Sequence, residues 1–210
     1  MALIASGGIA PAGMQPAGDA EGTPLVAIRS FDDEGATSNF AIFNAINFAQ
    51  DNGASVLSLS WGSETKSEFM ESSITHAQDQ GMTVVAAVGN TPNGIASYPA
   101  AYDGVIGVGA LAADGNVWEK SNYGNFVDVT APGQANFPIG HDGPPGAYSG
   151  TSISTPVVAR AFSQYMAQNP GTTQDQMLNA FYTSLSPAAN AERYGRGKFD
   201  QAAYNRFLAP

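Results

Sequence analysis

The chain has 210 residues, 43% of them hydrophobic, which suits one globular domain able to bury a sizeable core. Eight basic against eighteen acidic side chains give a formal net charge of -10, and the few Lys and Arg are scattered, which argues against nucleic-acid and anionic-membrane partners. The absence of Cys excludes disulfides and thiolate metal sites while leaving the compartment open, and the longest apolar stretches fall well short of a membrane span.

Residues 1–5 lack the charged flank of a signal peptide, so any signal is expected upstream. The 24 Gly and 13 Pro cluster between apolar runs and punctuate a folded chain. The first such run, Leu25-Val26-Ala27-Ile28, reads as a strand. Residues 39–50 follow with helical spacing of Phe40, Phe43, Ile46 and Ala49. A strand is expected over 55–60, a helix over 67–80 with Met70, Ile74 and Ala77 inward, and further strands over 82–88 and 104–109. Near-continuous hydrophobicity suits strands buried on both faces, and strand alternating with helix argues a parallel sheet in an α/β fold. A strand-like Phe126-Val127-Asp128-Val129, a Pro-rich loop over 132–145, a helix over 151–168 and two shorter helical stretches complete the expectation.

Chemistry concentrates in Ser149-Gly150-Thr151-Ser152-Ile153-Ser154-Thr155-Pro156-Val157-Val158-Ala159, a Gly turn and small hydroxyl residues before an apolar helical run. This places Ser152 at a helix N-terminus, where unpaired N–H groups and the helix dipole stabilise a developing negative oxygen. The bland alternative is that Ser152 or Thr151 merely caps the helix. Pro156 is expected to cost little in a first turn. A second stretch, Val84-Val85-Ala86-Ala87-Val88-Gly89-Asn90-Thr91-Pro92-Asn93-Gly94, is a buried strand ending in a polar turn, where the Asn90 carboxamide is either an ordinary turn residue or a donor to an oxyanion.

The first stretch resembles the serine motif of the subtilases, Gly-Thr-Ser-(Met)-(Ala/Ser)-x-Pro-x-Val-(Ala)-Gly, with Ile153 in place of Met and the charged Arg160 where the family favours close packing. The second resembles the segment whose Asn completes that family's oxyanion hole. Segments 97–110, Ser121-Asn122-Tyr123-Gly124 and 127–133 resemble subtilase core segments in the family's order, as do Gly8-Ile9-Ala10-Pro11 near the start and Tyr194-Gly195-Arg196-Gly197 near the end. Val56-Leu57-Ser58-Leu59-Ser60-Trp61-Gly62 looks like the strand whose end pairs with extended substrate, which makes Ser60, Trp61 and Gly62 substrate contacts by strand addition, with core packing as the alternative for Trp61.

The resemblance implies a subtilisin-like α/β fold, a three-layer, mostly parallel twisted sheet flanked by helices, N-terminally incomplete, with residues 1–210 as the last three-quarters of a catalytic domain. It implies a serine endopeptidase acting on peptides or proteins through an acyl-enzyme on Ser152, with Asn90 in the oxyanion hole. In subtilases the triad His opens a His-Gly-Thr-x-x-Ala helix that Met1-Ala2-Leu3-Ile4-Ala5 looks set to continue, and the triad Asp lies earlier still. Both are therefore expected from a segment or partner chain outside these residues. His76, on a helix, and His141, in a loop beside Asp142, are rejected as substitutes.

No metal site is expected: the connection from Ala5 to Pro11 is short and has no run of carboxylates or Asn, whereas many subtilases insert a calcium-binding loop there. Asp103, Asp114 and Asp128 leave only weak calcium binding open, as solvated carboxylates on surface turns. No other cofactor is expected. The resemblance implies secretion, the family's commonest destination, with which an acidic, Lys-poor surface is compatible, and an intracellular location is the alternative. Two other readings stay open: a catalytically silent subtilase-like peptide-binding module, and a truncated fragment from an internal Met.

Overall fold

The computed structural model describes residues 1–15, 23–138 and 144–209. In chain order the elements are α1 (Ala2–Ala5), α2 (Asn39–Asp51), β1 (Val56–Leu59), α3 (Glu68–Asp79), β2 (Thr83–Ala87), β3 (Ile106–Leu111), β4 (Val129–Pro132), β5 (Gln134–Phe137), β6 (Gly146–Ser149), α4 (Thr151–Gln168), α5 (Gln174–Ser184), α6 (Ala191–Tyr194) and α7 (Gln201–Phe207). Strands β1 to β4 form one parallel sheet in sequential order, with Leu59 opposite Ala86, Val85 opposite Ile106 and Val108 opposite Val129. Strands β5 and β6 make a separate antiparallel pair that delivers the chain to α4.

The period of two along β2 builds the layers. Val84, Ala86 and Val88 pack against Ile42 and Ile46 of α2 and Met70, Ile74 and Ala77 of α3. Val85, on the opposite face, joins Val108 and Val129 against α4, α5 and α7. Helix α4 is buried almost all round through its first three turns, from Thr151 to Phe162 except at Ser152, which marks it as a core helix. Its buried hydroxyls are satisfied: Ser154 donates to the Ala131 carbonyl at 2.9 Å and Thr155 to the Thr151 carbonyl at 2.8 Å. Beyond it, Phe162, Phe181, Phe199 and Phe207 form a ring cluster, with Phe162 and Phe181 centroids 4.6 Å apart.

Four expectations need correcting. Leu25-Val26-Ala27-Ile28 forms no strand among the described residues, and Leu25, Val26 and Ile28 are exposed. An apolar run becomes a strand only where a neighbour offers its ladder, and β1, the sheet edge nearest it, lies across a cleft. In α2 the inward face is Ile42, Ile46 and Ala49, whereas Phe40 is 65% exposed and stacks on Phe43. Both faces share Ile46 and Ala49, so periodicity alone does not choose between them. The fourth strand of the sheet begins at Val129 instead of Phe126, and the expected Pro-rich loop contains the end of β4 and all of β5, with β6 following it from Gly146. Pro132 is tolerated because it ends its strand.

Gly107 is where the sheet is least forgiving. A Cβ there would fall well inside contact distance of the Phe126 carbonyl, which is backbone and cannot rotate away. Gly107→Ala is expected to destabilise the fold by about 1–3 kcal/mol, the usual cost of overpacking, read as a lower urea midpoint at unchanged slope.

Candidate active site

The carboxyl ends of β1 and β2 and the start of α4 meet at one edge of the sheet, the end at which open parallel sheets place their ligands. After β1 come Ser60, Trp61 and Gly62, after β2 come Gly89 and Asn90, and Thr151 and Ser152 open α4. Gly89 makes the exit from β2 with φ of 99°, a left-handed conformation that strains any side chain. Gly150 is the N-cap of α4 and provides no side-chain cap, so neither Thr151 nor Ser152 serves as the cap of this helix.

The Asn90 oxygen accepts from the Thr151 N–H and from the Thr151 hydroxyl, both at 2.9 Å. Two donors on one oxygen fix the orientation of the carboxamide, and its Nδ2 group lies over Gly150, 3.4 Å from where a Cβ would stand. Asn90 and the start of the serine helix are thus directly bonded. The sequence does not single out Thr151, whose hydroxyl, next to Ser152 in the chain, is wholly buried.

Ser152 and Ser60 exchange hydrogen bonds. The Ser152 hydroxyl donates to the Ser60 carbonyl, and the Ser60 hydroxyl donates to the Ser152 carbonyl, each at 3.1 Å. Pro156 explains the second bond. It lies past the first turn, contrary to expectation, and without an N–H it cannot serve the carbonyl four residues back, which belongs to Ser152. Ser60 supplies the replacement donor. Ser60→Ala is therefore expected to leave that carbonyl without its donor and to lower stability by about 1–2 kcal/mol, measurable by denaturant unfolding.

Trp61 is half-buried, packs on the α2/α3 side of the core and sits 6.1 Å from the Phe31 ring, so packing accounts for much of it. Gly62 is exposed, and a Cβ there would come within 2.5 Å of the Ser97 hydroxyl. Arg160 is buried to 9% exposure in the middle of α4, and Gly7 makes room for it: a Cβ on Gly7 would meet the guanidinium at 2.6 Å.

His76 is exposed in the last turn of α3. His141 and Asp142 lie outside the described residues. Of the three aspartates, Asp114 accepts from the Asn116 backbone and side chain within its own turn. Asp128 is half-buried, contrary to the surface-turn expectation, and burial pushes its carboxyl up while the Gly107 N–H, 2.8 Å away, opposes that. Among the described residues no three His, Cys, Asp or Glu side chains gather as metal ligands, and no helix is long and apolar enough to cross a membrane.

Comparison with known proteins extends this geometry. Over 143 residues the chain is 36% identical to thermitase from Thermoactinomyces vulgaris, an alignment covering 68% of this chain and 51% of thermitase. Over 192 residues it is 32% identical to Subtilisin Savinase from Lederbergia lenta, covering 90% of this chain and 70% of that protein. The chain thus spans about half the length of one relative and about two-thirds of the other. The solved prenylagaramide maturation protease PagA superposes with a TM-score of 0.70 at 24% identity, over 83% of this chain and 70% of that one, a likeness of fold. Residues 3–197 match the Peptidase S8 model, and with nearly the whole sequence inside that match, the chain belongs to the subtilase family.

Proposed function

We propose that this chain carries the nucleophile and oxyanion hole of a subtilisin-type serine endopeptidase. The Ser152 oxygen attacks the scissile carbonyl, and the negative charge on the tetrahedral intermediate is met by the Asn90 Nδ2 group and the Ser152 N–H. The C–N bond breaks, and the amine leaves with a proton relayed from Ser152 by a base. Substrate lies extended along Ser60, Trp61 and Gly62 by strand addition. The observation that carries the reading is the pair of hydrogen bonds that Thr151 donates to the Asn90 oxygen, which leaves the amide nitrogen as the donor available beside Ser152.

The base and its carboxylate come, in this proposal, from polypeptide outside these 210 residues. Two features support it. The Ser152 hydroxyl donates to a backbone carbonyl, which cannot accept a proton at neutral pH, and exposed His76 is the one imidazole among the described residues. The second is a cleft of about 1230 Å³ between the unpaired edge of β1 and the segment through Leu25, Val26 and Ile28. Ile42 and Ile46 of α2 close one face of that cleft, and Ala159 and Ser163 of α4 the other. An unpaired strand edge with helices above and below suits an inserted β-strand, and we assign the cleft to one bearing the missing carboxylate.

The Ser152 hydroxyl bonded to Ser60 equally favours a second reading, a silent module that captures extended peptides without cleaving them. Fluorophosphonate labelling of the protein in its native assembly, with mapping of the adduct, separates the two. An adduct on Ser152 that disappears in Ser152→Ala supports the protease, and an assembly that binds peptide but never labels rejects it.

A further inference from the structure

We infer that Asn122 is a positioning residue that holds the Asn90 carboxamide in place; this rests on the oxyanion role proposed for Asn90. From β2 the chain leaves the core at Val88, makes an exposed excursion over 90–95 that includes Asn90, and returns to buried Ser97. An exposed turn does not by itself keep a side chain within the few tenths of an ångström that oxyanion binding needs. Something underneath must do so.

Asn122 lies there, 3% exposed, with every polar group used. Its Nδ2 donates to the Val88 carbonyl at 3.2 Å and to the Ile95 carbonyl at 2.9 Å. Its oxygen accepts from the Gly94 N–H and its neighbour Tyr123's N–H, both at 3.0 Å. Its own N–H donates to the Gly89 carbonyl at 3.0 Å. One side chain therefore ties the departing end of the excursion to its returning end, on either side of Asn90. A carboxamide is suited to this because it carries two donors and an acceptor on one short stem. The Tyr123 ring presses on the same turn, 3.1 Å from where a Gly94 Cβ would stand. Thr151 fixes the Asn90 oxygen from one side, and Asn122 fixes the backbone beneath it from the other.

The test uses Asn122→Ala, with Asn122→Asp as a second variant that keeps the acceptor and size but loses both donors. In the full chain, amide exchange over residues 89–95 should accelerate at least about tenfold while β3 and α5 keep their protection, and the Asn90 side-chain amide resonances should move towards free-carboxamide positions. In the native assembly kcat should fall by about 10- to 100-fold with KM nearly unchanged, and the loss should vanish in an Asn90→Ala background, since both act through one donor. Loss of protection spread over the whole sheet, an unmoved Asn90 resonance, or full additivity with Asn90→Ala would overturn the inference. If Asn122→Ala does not fold, the same measurements on Asn122→Asp decide the question. Should Asn90→Ala leave kcat intact, the oxyanion reading fails, while the resonance and exchange arms still report whether Asn122 holds the turn.

Discussion

Purified alone, the chain is expected to turn peptides over feebly or not at all, and a polypeptide carrying a β-strand with an Asp and a helix start with a His is expected to switch it on. The effect should be large. In subtilisin, a relative in which the magnitude is established, loss of the nucleophile or the base costs about a millionfold in kcat, the residue of catalysis coming from oxyanion hole and binding. A Ser152 whose proton rests on the Ser60 carbonyl starts from that residue. Adding the complementing polypeptide at about 100 times its dissociation constant should also raise stability by about 2.7 kcal/mol through linkage, seen as a higher Tm that depends on its concentration. Ser152→Ala should abolish fluorophosphonate labelling while leaving the Tm increase in place, since the strand cleft is lined by other residues. Two results would sink the proposal. One is a complex that forms, melts higher and never labels, which would establish the binding module. The other is vigorous hydrolysis by the chain alone, undiminished in His76→Ala and His141→Ala, which would mean that the base has been misplaced.

The parallel sheet is legible in the sequence because its strands are buried on both faces, and a near-continuous apolar run such as 82–88 admits few alternatives. The same signal misleads at Leu25-Val26-Ala27-Ile28, where the residues suit a strand but no neighbour pairs with them. Pairing is a property of the surroundings and not of the segment. Helix α2 shows the matching limit for helices: a period of 3.6 locates it but allows two overlapping faces, and packing against Leu57 and Leu59 selects the isoleucines over the phenylalanines. In the site, Ser152 and Asn90 can be read from their motifs because each sits at a recognisable junction of element and turn. The partners that orient them cannot. Thr151 bonds across 61 residues of sequence and Asn122 across 28 and 34, and nothing local announces either contact. Ser60 stands out in the sequence as a substrate contact, yet its hydroxyl also compensates a proline on another element, a role visible only once the two are side by side.

Asn90 should prove to have two separable roles, and a pair of substitutions distinguishes them. Asn90→Ala removes the Nδ2 donor and also the acceptor on which the buried Thr151 N–H and hydroxyl depend. Turnover in the complemented complex should fall by about 100- to 1000-fold, the range established for losing one oxyanion-hole donor in subtilisin, with KM changed little because the proposed donor acts chiefly in the transition state. Stability should fall too, by about 1–3 kcal/mol, less if water reaches Thr151 through the space left by an exposed side chain. Asn90→Asp keeps the acceptor and makes it a carboxylate, so both bonds from Thr151 should survive and the stability loss should largely disappear. Its outer oxygen, however, now faces the place where negative charge develops. The carboxylate cannot donate and repels the intermediate, so kcat should fall at least as far as in Asn90→Ala. A variant nearly as stable as the parent yet as slow as the alanine mutant would assign the acceptor to structure and the donor to catalysis. Parent-like turnover in Asn90→Asp would remove Asn90 from the oxyanion hole.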